Sequence, residues 1–435
     1  MPETKFIFAE TDLFPQCHGS TLALLPDGRI ISAWFGGTRE SDPDTAIYAA
    51  TLDPDADKWN DPWRLVKVND EPHWNPVLFM APTGDLHLWF KTGEHPWAWK
   101  TWHSMSPEST LEFANAEVLE GQDGDGGHCR GPVRNKPIAL SDGTWLAPSS
   151  HEEKKKIVKP KLPYQLVPAF CEPRDLETYW GRVDVWNSFA DLSTDNGKTW
   201  QMTPYIDRPE DAKSSGGIIQ PAAWESSPGN VHMVFRSTWG AIYRSDSTDG
   251  GKTWCRAYRT KLPNNNSGID VCYFGDDALA LVFNPISGNW AGRGVLSVAF
   301  SNDNGKTWLG GAELEGPRES EDPYAYPFSR GSFSYPSTIC TPDGMAITYT
   351  WSRVSICCVQ LKIDTEALKN GSAPDKFCEL KNPQRVPIEP LKDRLSSRYM
   401  IRRQAKRDFR MKNVEANRKY GDGVVDWQTR DSMTS

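Results

Sequence analysis

The stretch STDGGKTW, Ser247 to Trp254, decides the fold, because the chain spells it three times. STDNGKTW fills Ser193 to Trp200, and SNDNGKTW fills Ser301 to Trp308. The tryptophans fall at 200, 254 and 308, so both intervals are 54 residues. A fixed period of that size marks units that stack or radiate about an axis. Within each box Asp suits a turn by accepting backbone N–H groups, Gly supplies a positive φ, and Trp anchors the loop between neighbouring sheets. The boxes are thus expected to build turns and to do no chemistry.

Six lines of sequence share a second pattern: a polar residue, an apolar run, a Gly-containing turn and another apolar run. They start HGSTLALLPDGRIISAWFGG at His18, NPVLFMAPTGDLHLWFKTG at Asn75 and RNKPIALSDGTWLAPSS at Arg134. The others start QPAAWESSPGNVHMVFRS at Gln220, SGIDVCYFGDDALALVFNP at Ser267 and YPSTICTPDGMAITYTWSR at Tyr335. Each reads as two strands joined by a tight turn. TLDPDADKW (Thr51 to Trp59) and SMSPESTLEF (Ser104 to Phe113) resemble degenerate boxes after the first two lines. No box follows the sixth line, and the strand around Phe6 to Phe8 has no partner nearby. One terminus would then complete the blade begun by the other. The expected fold is all-β: a six-bladed β-propeller over residues 1–363, with an insertion at 150–184. Gly310 to Tyr335 reads as a long loop over the ring, and Asp364 to Leu380 as an irregular cap. Residues 364–435 form an extension whose basic stretch, about 391–420, reads as a helix with Leu391, Leu395 and Tyr399 on one face.

Composition narrows the function. Thirty-four Gly, 33 Pro and 19 Trp in 435 residues suit many short strands. The formal charge is −8, yet Leu391 to Tyr420 alone carries about +8, leaving an acidic body. Such a body gives no electrostatic reason to expect nucleic acid. No apolar run spans a bilayer, and MPETKFIFAE has no secretory pattern. Nine scattered cysteines read as reduced thiols, and a cytoplasmic location is expected. No cysteine or histidine spacing suggests a metal, and no cofactor is expected.

Three copies of S-x-D-x-G-x-T-W on six hairpin-like lines resemble the sialidase (neuraminidase) superfamily of Asp-box, or BNR-repeat, propellers. The resemblance covers roughly the first 360 residues and carries the fold more than the function. In such propellers the first strand of each blade opens near the axis. His18, Asn75, Arg134 with Asn135, Gln220, Asn266 with Ser267, and Tyr335 should therefore ring one pocket. Arg39, Arg236 and Arg353, at the ends of second strands, should form a shell, with Trp34 and Trp351 as walls. Three arginines at equivalent places suit an anion, because guanidinium binds carboxylate at two points.

The resemblance also implies roles. Sialidases hold a carboxylate with three arginines, use an Asp as acid/base, and use a Tyr nucleophile assisted by a Glu. Arg39, Arg236 and Arg293 match the arginines, Asp44 (or Asp42) the acid/base loop, and Tyr335 the nucleophile. Two places depart from the pattern. Cys17-His18-Gly19-Ser20 stands where an Arg-Ile-Pro motif is usual, and Gln220 stands for the glutamate. Glutamine orients a tyrosine but takes no proton from it. Glu225, five residues on, should face the other side of its strand.

The expected function is an exo-acting glycoside hydrolase on a small acidic glycan or glycoconjugate. Arginines would hold the carboxylate, Asp44 protonate the leaving oxygen, Tyr335 attack, and His18 replace the missing base. An alternative is a uronate lyase, with Arg134, Asn135 and Asn266 neutralising the carboxylate and His18 with Tyr335 moving protons. A third is a propeller that only binds an anionic metabolite.

Overall fold

The computed structural model describes residues 5–9, 11–119, 130–159, 179–210, 212, 216–316 and 332–378. The basic stretch at 391–420, most of the loop at 310–335 and the centre of the insertion lie outside them.

Twenty-four strands fall into six four-stranded groups. Blade 1 holds β2 (Gln16–Leu24), β3 (Ile30–Gly37), β4 (Ala46–Leu52) and β5 (Trp63–Val66). Blade 2 holds β6 (His73–Met80), β7 (Leu86–Thr92), β8 (Lys100–Ser106) and β9 (Glu117–Val118). Blade 3 holds β10 (Ile138–Ala139), β11 (Trp145–Lys159), β12 (Tyr179–Ser193) and β13 (Gln201–Met202). Blade 4 holds β14 (Gly216–Ser227), β15 (Asn230–Ser237), β16 (Ala241–Ser247) and β17 (Tyr258–Pro263). Blade 5 holds β18 (Asp270–Gly275), β19 (Ala278–Phe283), β20 (Leu296–Ser301) and β21 (Gly310–Glu315). Blade 6 holds β22 (Phe333–Thr341), β23 (Gly344–Trp351) and β24 (Ser355–Lys362), and its fourth strand is the N-terminal β1 (Lys5–Phe6). Lys5 pairs with Cys358 and Phe6 with Cys357.

Strands buried on both faces need apolar side chains between every pair of blades, and six separate clusters supply them. Trp34, Phe14 and Ile30 meet Ile356 and Cys358 between blades 1 and 6. Phe35 and Ile47 meet Trp74 and Phe90 between blades 1 and 2. Trp89 and Val77 meet Trp145 and Trp200 between blades 2 and 3. The remaining gaps are filled by Leu146 with Phe235, by Trp224 with Leu281, and by Phe300 with Tyr349. Six blades with six filled gaps make a closed ring. Trp34 and Trp351 are fully buried in these gaps, so they are core rather than pocket walls.

The boxes act as the sequence suggests. Ser247 Oγ accepts from Gly251 N at 2.9 Å, Asp249 accepts from Thr253 N and Oγ1, and Trp254 Nε1 donates to Gly251 O. Gly251 has φ 81, and a Cβ there would lie 2.3 Å from Leu146 of the preceding blade. Each box therefore pins its own blade onto the one before it. Trp59 and Phe113, in the degenerate boxes, also pack at blade interfaces.

Four features differ from the expectation. The insertion at 150–184 is not wholly an excursion, since β11 and β12 pair through to Lys159 and Tyr179. Blades 3 and 4 share one eight-stranded sheet through a short parallel pairing, Val185 with Gly216 and Trp186 with Gly217. The loop at 310–335 begins with strand β21. Finally, Cys272 and Cys340 form a disulfide between blades 5 and 6, so the nine thiols are not all free. Strands β18 and β22 lie side by side and bring residues 68 apart in sequence to a Cα separation of 5.9 Å. Residues 364–378 fold as two short helices, α1 (Thr365–Lys369) and α2 (Pro374–Phe377), with Leu368 and Phe377 closing the gap between blades 5 and 6. No helix among the described residues is long and apolar enough to cross a membrane.

Candidate active site

Four of the six axial strands carry the same backbone irregularity. The antiparallel register slips between His18 and Thr21, Trp74 and Val77, Ile219 and Ala222, and Ser334 and Ser337. At each slip one residue has positive φ: Gly19 (66), Asn75 (37), Gln220 (49) and Tyr335 (56). Pro follows three of them, as Pro76, Pro221 and Pro336, and a residue without an N–H fits a gap in the ladder. A bulge turns a side chain out of the blade's alternation, so these residues leave the inter-blade core and reach the axis. Positive φ in a non-glycine costs on the order of 1–3 kcal/mol, which marks these positions as held in place by their surroundings.

The Tyr335 side chain stands at the centre of the group. Its hydroxyl accepts from Arg236 Nη1 at 2.8 Å. The guanidinium carbons of Arg134, Arg236 and Arg293 lie 5.1, 5.6 and 5.6 Å from its ring centroid. Burial pushes its phenol up, yet Arg236 and Arg293, with Arg353, outweigh burial and leave it below the ordinary tyrosine value. Arg236, 2% exposed, also donates to Gln220 Oε1 at 2.8 Å and to Asn266 Oδ1 at 3.0 Å. Its partners are amides and a phenol, not carboxylates. Burial pushes Arg134 and Arg293 down to about 10, and other guanidiniums push the same way. Arg353 Nη1 donates to Glu40 Oε2 at 2.6 Å.

Beside the tyrosine lies His18, 1% exposed, with ring centroids 4.1 Å apart. Thr350 Oγ1 holds its Nδ1 at 2.9 Å, and its Nε2 is buried without a partner. Burial, then the charges of Arg353, Arg293, Arg134 and Arg236, keep this imidazole well below the usual histidine value. The ring is held in its neutral form. Asn135 serves the scaffold, its Nδ2 donating to the carbonyls of Pro221 and Ile269, while Arg134 Nη2 donates to Pro336 O. Asn75 is buried at its bulge, 3% exposed. Ser267, fully buried, presents its carbonyl to Asn264.

His18, Gln220, Arg134, Arg236, Asn266, Arg293, Arg353 and Tyr335 are therefore joined in one cluster. Among the described residues nothing links Arg39 or Asp44 to it. Arg39 pairs with Asp42 at 2.9 Å on an exposed loop. Asp44 Oδ2 accepts from Thr38 N and Oγ1, both at 2.8 Å. Glu225 holds the β14–β15 turn by accepting from Ser141 and Gly229, away from the axis. Sequence reasoning missed Glu40, Thr350 and two tryptophans, Trp186 and Trp290, whose rings lie 5.8 and 5.7 Å from the Arg236 guanidinium. Glu40 was readable only as the neighbour of Arg39 in FGGTRESDPD. Among the described residues no group of three His, Cys, Asp or Glu is placed to hold a metal.

A sequence profile for the BNR repeat-like domain matches residues 28–347. The chain belongs to this family. No curated protein matches it. Among solved structures it is similar to a variant of the NanB sialidase from Streptococcus pneumoniae, with a TM-score of 0.58 and 11% identity over 82% of this chain and 70% of that one. A protein of unknown function from Dyadobacter fermentans gives 0.59 and 11%, over 82% and 97%. The leech intramolecular trans-sialidase gives 0.55 and 11%, over 86% and 72%. At such identities the likeness establishes the sialidase-type fold of this BNR repeat-like protein, and the chemistry rests on the site.

Proposed function

We propose that this pore hydrolyses the terminal glycosidic bond of an acidic sugar, with Tyr335 as nucleophile. One observation carries the reading: the buried guanidiniums of Arg134, Arg236 and Arg293 lie 5.1 to 5.6 Å from the Tyr335 ring, Arg236 bonds its hydroxyl, the charge of Arg353 reaches it, and among the described residues Glu40 is the one carboxylate ion-paired to these four arginines. Unbalanced positive charge in a site of low dielectric is costly unless an anion completes it. Arg236, Arg293 and Arg353 would grip the substrate carboxylate, and the same charges stabilise the phenolate. That stabilisation replaces the glutamate absent at Gln220, whose amide instead orients Arg236. Attack forms a Tyr335 Oη–C bond as the glycosidic C–O bond breaks, and water later releases the sugar.

The test is a panel of aryl sialosides, aryl uronides and uronate-terminated oligosaccharides, read for released aglycone and for unsaturated-uronate absorbance. Hydrolysis gives aglycone without new absorbance, and Tyr335→Phe lowers kcat/KM by roughly 1,000-fold. β-Elimination is the second reading, favoured by the unpartnered Nε2 of a neutral His18 whose ring lies 4.1 Å from that of Tyr335. There His18 would take the C5 proton, the C4–O bond would break toward oxygen, and a C4=C5 bond would form. New absorbance, lost in His18→Ala, selects that reading.

A further inference from the structure

Hydrolysis needs a proton for the leaving oxygen, and the resemblance to sialidases assigns it to Asp44. The loop Thr38 to Thr45 is built differently. Asp44 turns its carboxylate back onto Thr38, where one oxygen takes both the backbone N–H and the hydroxyl. Its charge is felt at Tyr48 and Lys67, and Lys67 Nζ is itself fastened to the Pro43 and Thr45 carbonyls. Those groups lie along β4 and the approach to β6, not at the axis. Asp44 is a loop clasp. Glu40, four residues earlier, points the other way. It reaches across from blade 1 to Arg353 at the end of blade 6, with its side chain 33% exposed and that of Arg353 only 11%. Its charge is felt at Tyr335 and Arg293, the two groups that flank the reacting position. Of the charges that act most strongly on Tyr335, Glu40 is the one carboxylate.

We propose that Glu40, not Asp44, is the general acid/base of the pore. The inference rests on the hydrolase reading above. In the free enzyme Glu40 is engaged by Arg353. A bound substrate carboxylate competes with Glu40 for the Arg353 guanidinium, which releases the Glu40 carboxyl to carry a proton taken from solvent. The proton then on Glu40 passes to the glycosidic oxygen as the C–O bond breaks, with the bonding pair going to that oxygen. Tyr335 Oη simultaneously forms its bond to the anomeric carbon. In the second half, Glu40 takes a proton from the attacking water, and the Tyr335–sugar bond breaks toward the phenolate.

A group that protonates the leaving oxygen matters little when the leaving group is already good, and this separates a proton donor from a residue that merely positions Arg353. The experiment compares wild type, Glu40→Gln and Asp44→Asn on methyl and 4-nitrophenyl glycosides of sialic acid and of glucuronic acid. Glutamine keeps an oxygen for Arg353, and thermal melting verifies the fold. Expected for Glu40→Gln is a loss of about 100-fold or more in kcat/KM on the methyl glycoside and less than about 10-fold on the nitrophenyl one. Asp44→Asn should stay within about 3-fold of wild type on both. Glu40→Ala should regain nitrophenyl turnover with added formate, which enters the space as a substitute base. Equal losses on both leaving groups in Glu40→Gln, or leaving-group dependence in Asp44→Asn, overturn the proposal while leaving the hydrolase reading intact. If Glu40→Gln melts early, Glu40→Asp serves instead, and the same ratio decides. A wild type silent on all four compounds overturns the hydrolase reading and takes this inference with it.

Discussion

At the scale of single residues, the pore is a set of charges deprived of ordinary partners. His18 shows this most clearly. A histidine normally charges near 6.5, but burial and four guanidiniums depress this one well below that value. It should stay neutral across the working range, and its imidazole NMR signals should not titrate between about pH 5.5 and 8, whereas an exposed histidine's would. Tyr335 shifts the opposite way in function, because lowering a phenol favours its charged form. Ultraviolet difference titration of wild type against Tyr335→Phe should show one phenol ionising below 10, the ordinary tyrosine value. Most of this cluster was legible in the sequence, since His18, Asn75, Gln220 and Tyr335 open lines that are otherwise alike. Asn-Pro, Gln-Pro and Tyr-Pro at matching places already marked where each ladder is interrupted. Glu40 was not legible, because a loop has no period and its neighbour Arg39 drew the functional reading. Adjacent residues on a tight loop face opposite ways, and only the structure shows which one turns inward.

At the scale of elements, the Asp-boxes and the hairpins divide the work. The boxes stay outside the chemistry. In each, hydrogen bonds from Thr and Ser, and from the backbone, outweigh burial and hold the Asp low, to about 2 in Asp249. Asp249→Ala should therefore cost about 1–2 kcal/mol in denaturant unfolding and leave turnover unchanged. A second polar network invites a catalytic reading and is better explained as a strut. Ser226 Oγ meets His232 Nε2 at 2.8 Å, and His232 Nδ1 meets Asp246 at 2.5 Å, the order of a serine-hydrolase triad. Asn304 Oδ1, however, is committed to Trp224 Nε1, so its Nδ2 must donate to the same His232 Nε2 at 2.9 Å. The lone pair a base would need is already shared. These side chains instead fasten blade 4 to the box of blade 5. Ser226→Ala should leave every activity intact, and Asp246→Asn should lower stability. The period of 54 residues announced such boxes, but it could not announce that β12 and β14 would merge two blades into one sheet. That pairing depends on Gly217, where a Cβ would lie 2.0 Å from Trp186 O of β12, so only a residue without a side chain lets the strands approach.

At the scale of the whole molecule, a ring has no free edge only if its last blade is completed, and here two residues of strand do so. The missing box after the sixth line and the unpaired N-terminal strand made this closure readable from sequence. The disulfide across blades 5 and 6 was not, because Cys272 and Cys340 carry no motif and meet only once the strands are arranged. Acid should loosen the ring as a body. Burial pushes His73, His87 and His103 down to about 4, so each is neutral in the folded protein where the unfolded chain would be charged. The unfolded state then binds more protons, and stability should fall as pH drops from about 6.5 to 4, by on the order of 1.4 kcal/mol per unit for each group. The closing strand gives the sharpest test. Ile7 and Phe8 are 4% and 5% exposed, Ile7 N donates to Ile356 O at 2.8 Å, and Ser355 Oγ donates to Phe8 O. Phe6 meets Trp351 edge-on at 5.6 Å. Deleting residues 1–8 removes roughly 3–6 kcal/mol of apolar burial from two side chains alone. It also bares the edge of β24, a template for pairing with another chain. The shortened protein should melt well below the full chain and associate as its concentration rises, measured by calorimetry and light scattering. An unchanged melting curve would mean that the six inter-blade cores hold the ring without its closing strand.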